Sequence, residues 1–246
     1  MTNTASQTDV IKLFYDGIWG SEPQVRLHAI GDELDKVRRY ANEKKIDDLF
    51  SQTIVFLTTS SYFAGLVPII QIESALFVEK EFRNEYAHAL AVRAYIEVAG
   101  RLHKGMRLWR QYKSRRTTLD DLRASVGRLM AKYRPTDNSP GGIFTGDGYN
   151  VMTFVKSLED RISGIADAYN NLSGYVHGGF EEQMFSRKIS WLSDIKHDAN
   201  PVIESHESVA RQLREVAFDD FSELLQITQP LRARYDRDHQ SDAETA

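Results

Sequence analysis

Three side chains able to exchange protons or hydrogen bonds stand at regular spacing in the second half of the chain: Tyr169, Ser173 and His177. Positions i, i+4 and i+8 of a helix lie on successive turns of one face, so a phenol, a hydroxyl and an imidazole can meet there. An imidazole titrates near neutrality and is the commonest general acid or base. At about 100° per residue the three share their face with Val151, Val155, Leu158, Ile162, Ile165, Leu172 and Val176. Polar groups on a packed face need partners, because leaving one unmade costs roughly 1–3 kcal/mol. Either the three satisfy one another inside a core, or they line a cleft in which His177 is acid or base.

A second constellation is Arg93 and Glu97, spaced i, i+4, with Arg101 one turn further. They flank the apolar face Ala91, Ala94, Tyr95, Val98, Leu102 and Trp109. The pair is a structural ion pair, or else its guanidinium steadies phosphate charge beside the Tyr–Ser–His stripe. A rival pair is Arg83 and His88, within RNEYAH. In an unbroken helix, residues i and i+5 point about 140° apart, so these two converge only if a helix begins between them. The run from Lys104 to Arg116, KGMRLWRQYKSRR, is locally basic and carries Trp109 and Tyr112. It is a solvated helix end or a contact for RNA or phosphate.

Other chemistries are poorly supported. The 246-residue chain has no cysteine, which excludes disulfides, thiolate metal sites and cysteine catalysis. His197-Asp198 and His206-Glu207 supply metal-ligand types but straddle Pro201 without a recognised spacing. Phosphate loop, dinucleotide fingerprint, hydrolase elbow and kinase set are missing, so no cofactor or metal is expected. A net charge of −4 argues against a broad nucleic-acid surface, though not a local one. The N-terminus lacks a basic-then-apolar leader, and a cytoplasmic protein is expected. Ile54 to Ile72 is uncharged over nearly a bilayer's thickness. Thr58, Thr59, Ser60, Ser61, Gly65, Pro68 and Gln71 interrupt it, so it reads as two buried helical pieces joined near Ser60–Ser61, with no membrane span.

Helices must position these residues, since strand-type alternation is weak and helical periodicity strong. Helices are expected over about Thr8–Trp19, Glu22–Glu43, Ile46–Thr59, from Ser61 with a kink at Pro68, over Glu79–Lys113, and from Thr117–Thr118. Arg134 to Asn150 holds two Pro and four Gly and reads as a loop. A long helix is expected from Tyr149 to His177, closed by Gly178–Gly179, then two helices around a break at Asn200–Pro201. The expected organisation is N-terminal helices over 1–60, a helical core over 61–180, helices packed on it over 181–234, and a disordered tail over 235–246.

Three segments look familiar: VRAYIEVAG (Val92 to Gly100), NVMTFVKSLEDRI (Asn150 to Ile162) and YNNLSGYVHGG (Tyr169 to Gly179). Together they resemble an all-helical bacterial family of HEPN-like character, with an Arg-x-x-x-Glu helix, an Asn-Val-x-Thr segment and a Tyr-x-x-Leu-Ser-x-x-Val-His ending. The resemblance spans roughly Glu79 to Gly179; where members often have Pro after the His, this chain has Gly178. It implies an all-α multi-helix bundle, with a HEPN-like core and flanking helices. No activity is established for the family as a whole. The expectation drawn from it is a non-catalytic interaction or scaffold module, in bacterial defence or stress response, with a homodimer or another protein as partner. The alternative is a metal-independent ribonuclease or toxin-like effector acting on RNA. It would use His177 with Ser173, Tyr169, Arg93 and Glu97, or the Arg83–His88 pair.

Overall fold

The computed structural model describes residues 21–82, 85–131, 148–177 and 200–244, and these form an all-α bundle. Helix α1 (Glu22–Glu43) starts after extended Ser21, with Pro in its first turn where the missing N–H is not needed. It buries Gln24, Leu27, Ile30, Leu34 and Val37, the spacing of one helical face. The Asp48 carboxylate accepts from the Ser51 N–H at 2.7 Å and so caps α2 (Leu49–Ser61). The same bond is the main reason its carboxyl sits below the usual carboxylate range.

The expected joint near Ser60–Ser61 is no break. The chain widens into a π turn over Tyr62–Leu66 and continues as α3 (Val67–Phe82). Pro68 follows directly. Its ring would clash with a carbonyl four residues back in a regular helix, and the wide turn relieves that conflict. Within Leu49–Val78 this is one helical stretch long and apolar enough to cross a bilayer, but half of its apolar window is buried in the protein, as in a core helix. Glu73, inside the same stretch, is also buried.

Helix α4 (Glu85–Lys113) is central and packs against every later helix and against α2 and α3. Its expected start at Glu79 needs correction, since residues 79–82 end α3. Val92, Tyr95, Ile96, Ala99 and Met106 on α4 are wholly buried. Helix α5 (Leu119–Met130) begins as expected, with Thr118 and Asp121 forming a reciprocal capping box.

The single helix expected over Tyr149–His177 is two. Helix α6 (Val151–Ser157) is capped by Asn150, whose side chain accepts from the Met152 N–H at 2.9 Å. A turn separates it from α7 (Ile165–His177), and Gly164 adopts φ +77°, a left-handed conformation suited to glycine. The Glu159 carboxylate then accepts from the N–H groups of Gly164 (3.3 Å) and Ala166 (2.9 Å), stabilising the start of α7. Against α4, α6 approaches so closely that a Cβ on Gly100 would lie 2.5 Å from the Phe154 carbonyl oxygen. Any larger residue there would force the two backbones apart.

Helix α8 (Asn200–Glu244) begins at the expected break, with Pro201 in its first turn, where the missing N–H is not needed. It also continues through the segment expected to be structureless. Asp236 and Asp238 reach Lys36 (3.2 Å) and Lys44 (3.1 Å) on and just past α1. The helix expected over Thr8–Trp19 and the segment 178–199 lie outside the described residues.

Candidate functional site

Helices α4 and α7 lie side by side, and their contact gathers three of the residues singled out by sequence. The Tyr169 hydroxyl donates to Glu97 Oε1 at 2.8 Å and accepts from Arg93 Nη2 at 3.2 Å. Arg93 and Glu97 are also an i, i+4 ion pair at 3.5 Å, and the guanidinium carbon lies 5.3 Å from the Tyr169 ring centroid. The Arg93 and Glu97 side chains keep 21% and 34% of their exposure, whereas Tyr169 keeps 5%. Burial chiefly, with Glu97 adding and Arg93 opposing, raises the phenol above its ordinary pKa. A phenol so held stays protonated and serves as a hydrogen-bond donor.

Ser173 lies one turn further along α7. Its hydroxyl is buried and has no hydrogen-bond partner among the described residues. His177 is the last residue of α7, and its side chain lies outside the described part of the structure. The Tyr86 hydroxyl donates to the Val176 carbonyl at 3.2 Å, which holds the end of α7 near the start of α4. Arg101 is not part of this cluster; its guanidinium sits 5.1 Å from the Phe154 ring.

Of the rival pair, Arg83 lies outside the described residues. His88 is fully buried, and its ring stacks on His206 with centroids 5.8 Å apart and planes 13° apart. Burial, then the neighbouring His88, pushes His206 down to about 4. Its folded pKa is thus below the ordinary unfolded value of about 6.5, so the unfolded chain binds the extra proton between the two. This histidine's effect on stability is absent above pH 6.5 and grows unfavourable as pH falls from 6.5 toward 4. His206→Gln should flatten that part of a urea-denaturation pH series, and an unchanged slope would reject the assignment.

Sequence reasoning missed the most enclosed polar network. His103 is wholly buried between two carboxylates: Nδ1 lies 2.8 Å from Asp220 Oδ2 and Nε2 lies 3.2 Å from Asp160 Oδ1. Asp220 is itself fully buried and accepts from Arg110 Nη2 at 2.8 Å, while Arg110 Nε donates to Glu223 at 2.8 Å. The network ties α8 and the turn after α6 to α4. One signal was available, since Asp220 interrupts the apolar spacing Val216, Ala217, Phe221, Leu224. Such an acid needs a buried cation or donor. A groove of about 460 Å³ lies elsewhere, between α2 and α8, lined by Asp48, Phe50, Trp109, Pro230 and Arg234 among others. Among the described residues no group of three or more His, Asp or Glu is arranged to hold a metal.

Fold and site together define a helical bundle whose central helix is fastened to its neighbours by charged, hydrogen-bonded side chains. No known protein family, curated protein or solved structure matches the chain.

Proposed function

We propose that this protein is a non-catalytic helical interaction module with a HEPN-like core. The observation that carries the proposal is the double use of the Tyr169 hydroxyl, which donates to Glu97 and accepts from Arg93. Both bonds run between helices, so the cluster spends its polar groups on fixing α7 to α4. A buried phenol with a raised pKa is a poor base or nucleophile at neutral pH. Exposed Tyr86 and Leu90, one turn apart on α4, give a protein partner, a second copy of the chain foremost, an apolar face beside this clamp.

The rival reading is a metal-independent ribonuclease using His177 with Ser173, Tyr169, Arg93 and Glu97. Partial exposure of Arg93 and Glu97 favours it, because a phosphate could reach the guanidinium. Tyr169→Phe separates the two. As a clamp it loses two hydrogen bonds, worth roughly 1–3 kcal/mol, and lowers the melting temperature by several degrees. RNA incubated with wild type, Tyr169→Phe or His177→Ala in EDTA should stay intact throughout. EDTA-resistant cleavage lost in either variant, at an unchanged melting temperature, would establish the ribonuclease instead.

A further inference from the structure

Most arginines of α4 answer to carboxylates: Arg93 to Glu97, Arg107 to Asp160, Arg110 to Asp220 and Glu223. Arg101 and Lys104 do not; among the described residues neither has a carboxylate within ion-pair distance. They lie over aromatic rings instead. Lys104 Nζ is 5.4 Å from the Tyr149 centroid, and Arg101 Cζ is 5.1 Å from that of Phe154. Arg128 of α5 approaches the same Tyr149 ring at 4.4 Å, and the two rings meet edge to face at 6.1 Å. Three cations from two helices therefore surround one aromatic pair at the start of α6.

Backbone packing fixes this arrangement. The close approach at Gly100 sets the Phe154 carbonyl against α4 and with it the ring beneath Arg101. Arg101 Nε is buried without a hydrogen-bond partner. The cost of gathering like charges is visible: burial, followed by Arg107 and Arg128, lowers the pKa of Lys104, and burial lowers that of Arg101. Cation–π contacts recover only part of the lost hydration. A compact anion would restore the rest.

We propose that Arg101 and Lys104, with the exposed Arg128 at the rim, form an anion site that takes the phosphate group of a small phosphorylated molecule. A guanidinium fork and an ammonium side by side match the several oxygens of a phosphate better than the two of a carboxylate. The recessed position of Arg101 and Lys104 suits a single terminal phosphate. A nucleic-acid strand would favour the exposed Lys113, Arg115 and Arg116 further along.

The test uses the full chain and three probes: inorganic phosphate and a nucleoside 5′-monophosphate by calorimetry, and a short fluorescent RNA by anisotropy. Lys104→Glu is compared with Arg128→Gln, which alters an exposed side chain, and both are checked by thermal melting. Phosphate or the nucleotide should bind wild type, and Lys104→Glu should weaken binding about tenfold or more, equivalent to about 1.4 kcal/mol. Arg128→Gln should weaken it less. RNA binding that both variants reduce, without phosphate or nucleotide binding, would overturn the small-molecule assignment in favour of a strand. Absence of binding by all three probes, or equal binding by wild type and both folded variants, would overturn the site.

Discussion

Asp220→Ala should lower the melting temperature by roughly 10 °C, the expected result of breaking a buried hydrogen-bonded network in a chain of this size. The carboxylate is fully buried and serves two partners at once, His103 Nδ1 and Arg110 Nη2, each at 2.8 Å. Its removal leaves the His103 Nδ1 without an acceptor in a site that water does not reach. Arg110 fares better, because Glu223 still accepts from it. Breaking such a network by deleting one member costs about 3–5 kcal/mol, most of it from the groups left behind. Asp220→Asn keeps the shape and one acceptor, and should cost about half as much. Asp160 holds the other side of the same imidazole but is 51% exposed, so water replaces it readily. Asp160→Ala should therefore cost no more than about 1 kcal/mol. Thermal melts of the three variants at one pH and salt concentration test the ranking. Equal losses for Asp220→Ala and Asp160→Ala would mean that burial does not set the energetics here.

The contrast between Asp220 and Tyr169 shows what a single sequence can and cannot reveal. Arg93, Glu97 and Tyr169 were legible because each pattern is local. An i, i+4 pair flanks an apolar face, and a polar residue repeats along a stripe. The boundaries of α1 and the Thr118–Asp121 box were legible for the same reason, since caps are read within four residues. The His103–Asp220 contact joins residues 117 apart, and Glu73–Arg214 joins residues 141 apart. No local period encodes either. Helix continuity failed in two directions for a related reason. The break at Leu158–Gly164 depends on a glycine conformation and on the Glu159 carboxylate reaching forward to cap α7. Conversely, α8 runs on through 235–244, where a structureless tail was expected, and neighbours support it. The Arg232 guanidinium donates to the Leu225 carbonyl at 2.8 Å while also pairing with Glu33 of α1.

Glu73 and Arg214 supply the second large effect, and here the sign of a double substitution is informative. Arg214 Nε and Nη2 donate to the two oxygens of Glu73 at 2.8 and 2.6 Å, a bidentate pair linking α3 to α8. The Tyr95 hydroxyl, wholly buried without a well-aligned hydrogen bond, lies beside it; burial and then the charge of Glu73 keep the phenol protonated. The two partners are not equally enclosed. The Glu73 side chain is 5% exposed and that of Arg214 is 29% exposed. Arg214→Leu thus leaves a carboxylate sealed beside a phenol, and should cost about 3–5 kcal/mol, or roughly 10 °C. Glu73→Leu leaves an arginine whose long stem can carry its charge to water, so its loss should be smaller. The double variant removes both charges and fills the space with apolar atoms. Because replacing a buried pair by leucines is often neutral or favourable, it should melt well above Arg214→Leu and near wild type. The coupling from this cycle should be about 2–4 kcal/mol in favour of the double variant. A double variant as unstable as Arg214→Leu alone would show that shape at the α3–α8 contact, rather than charge pairing, holds these helices together.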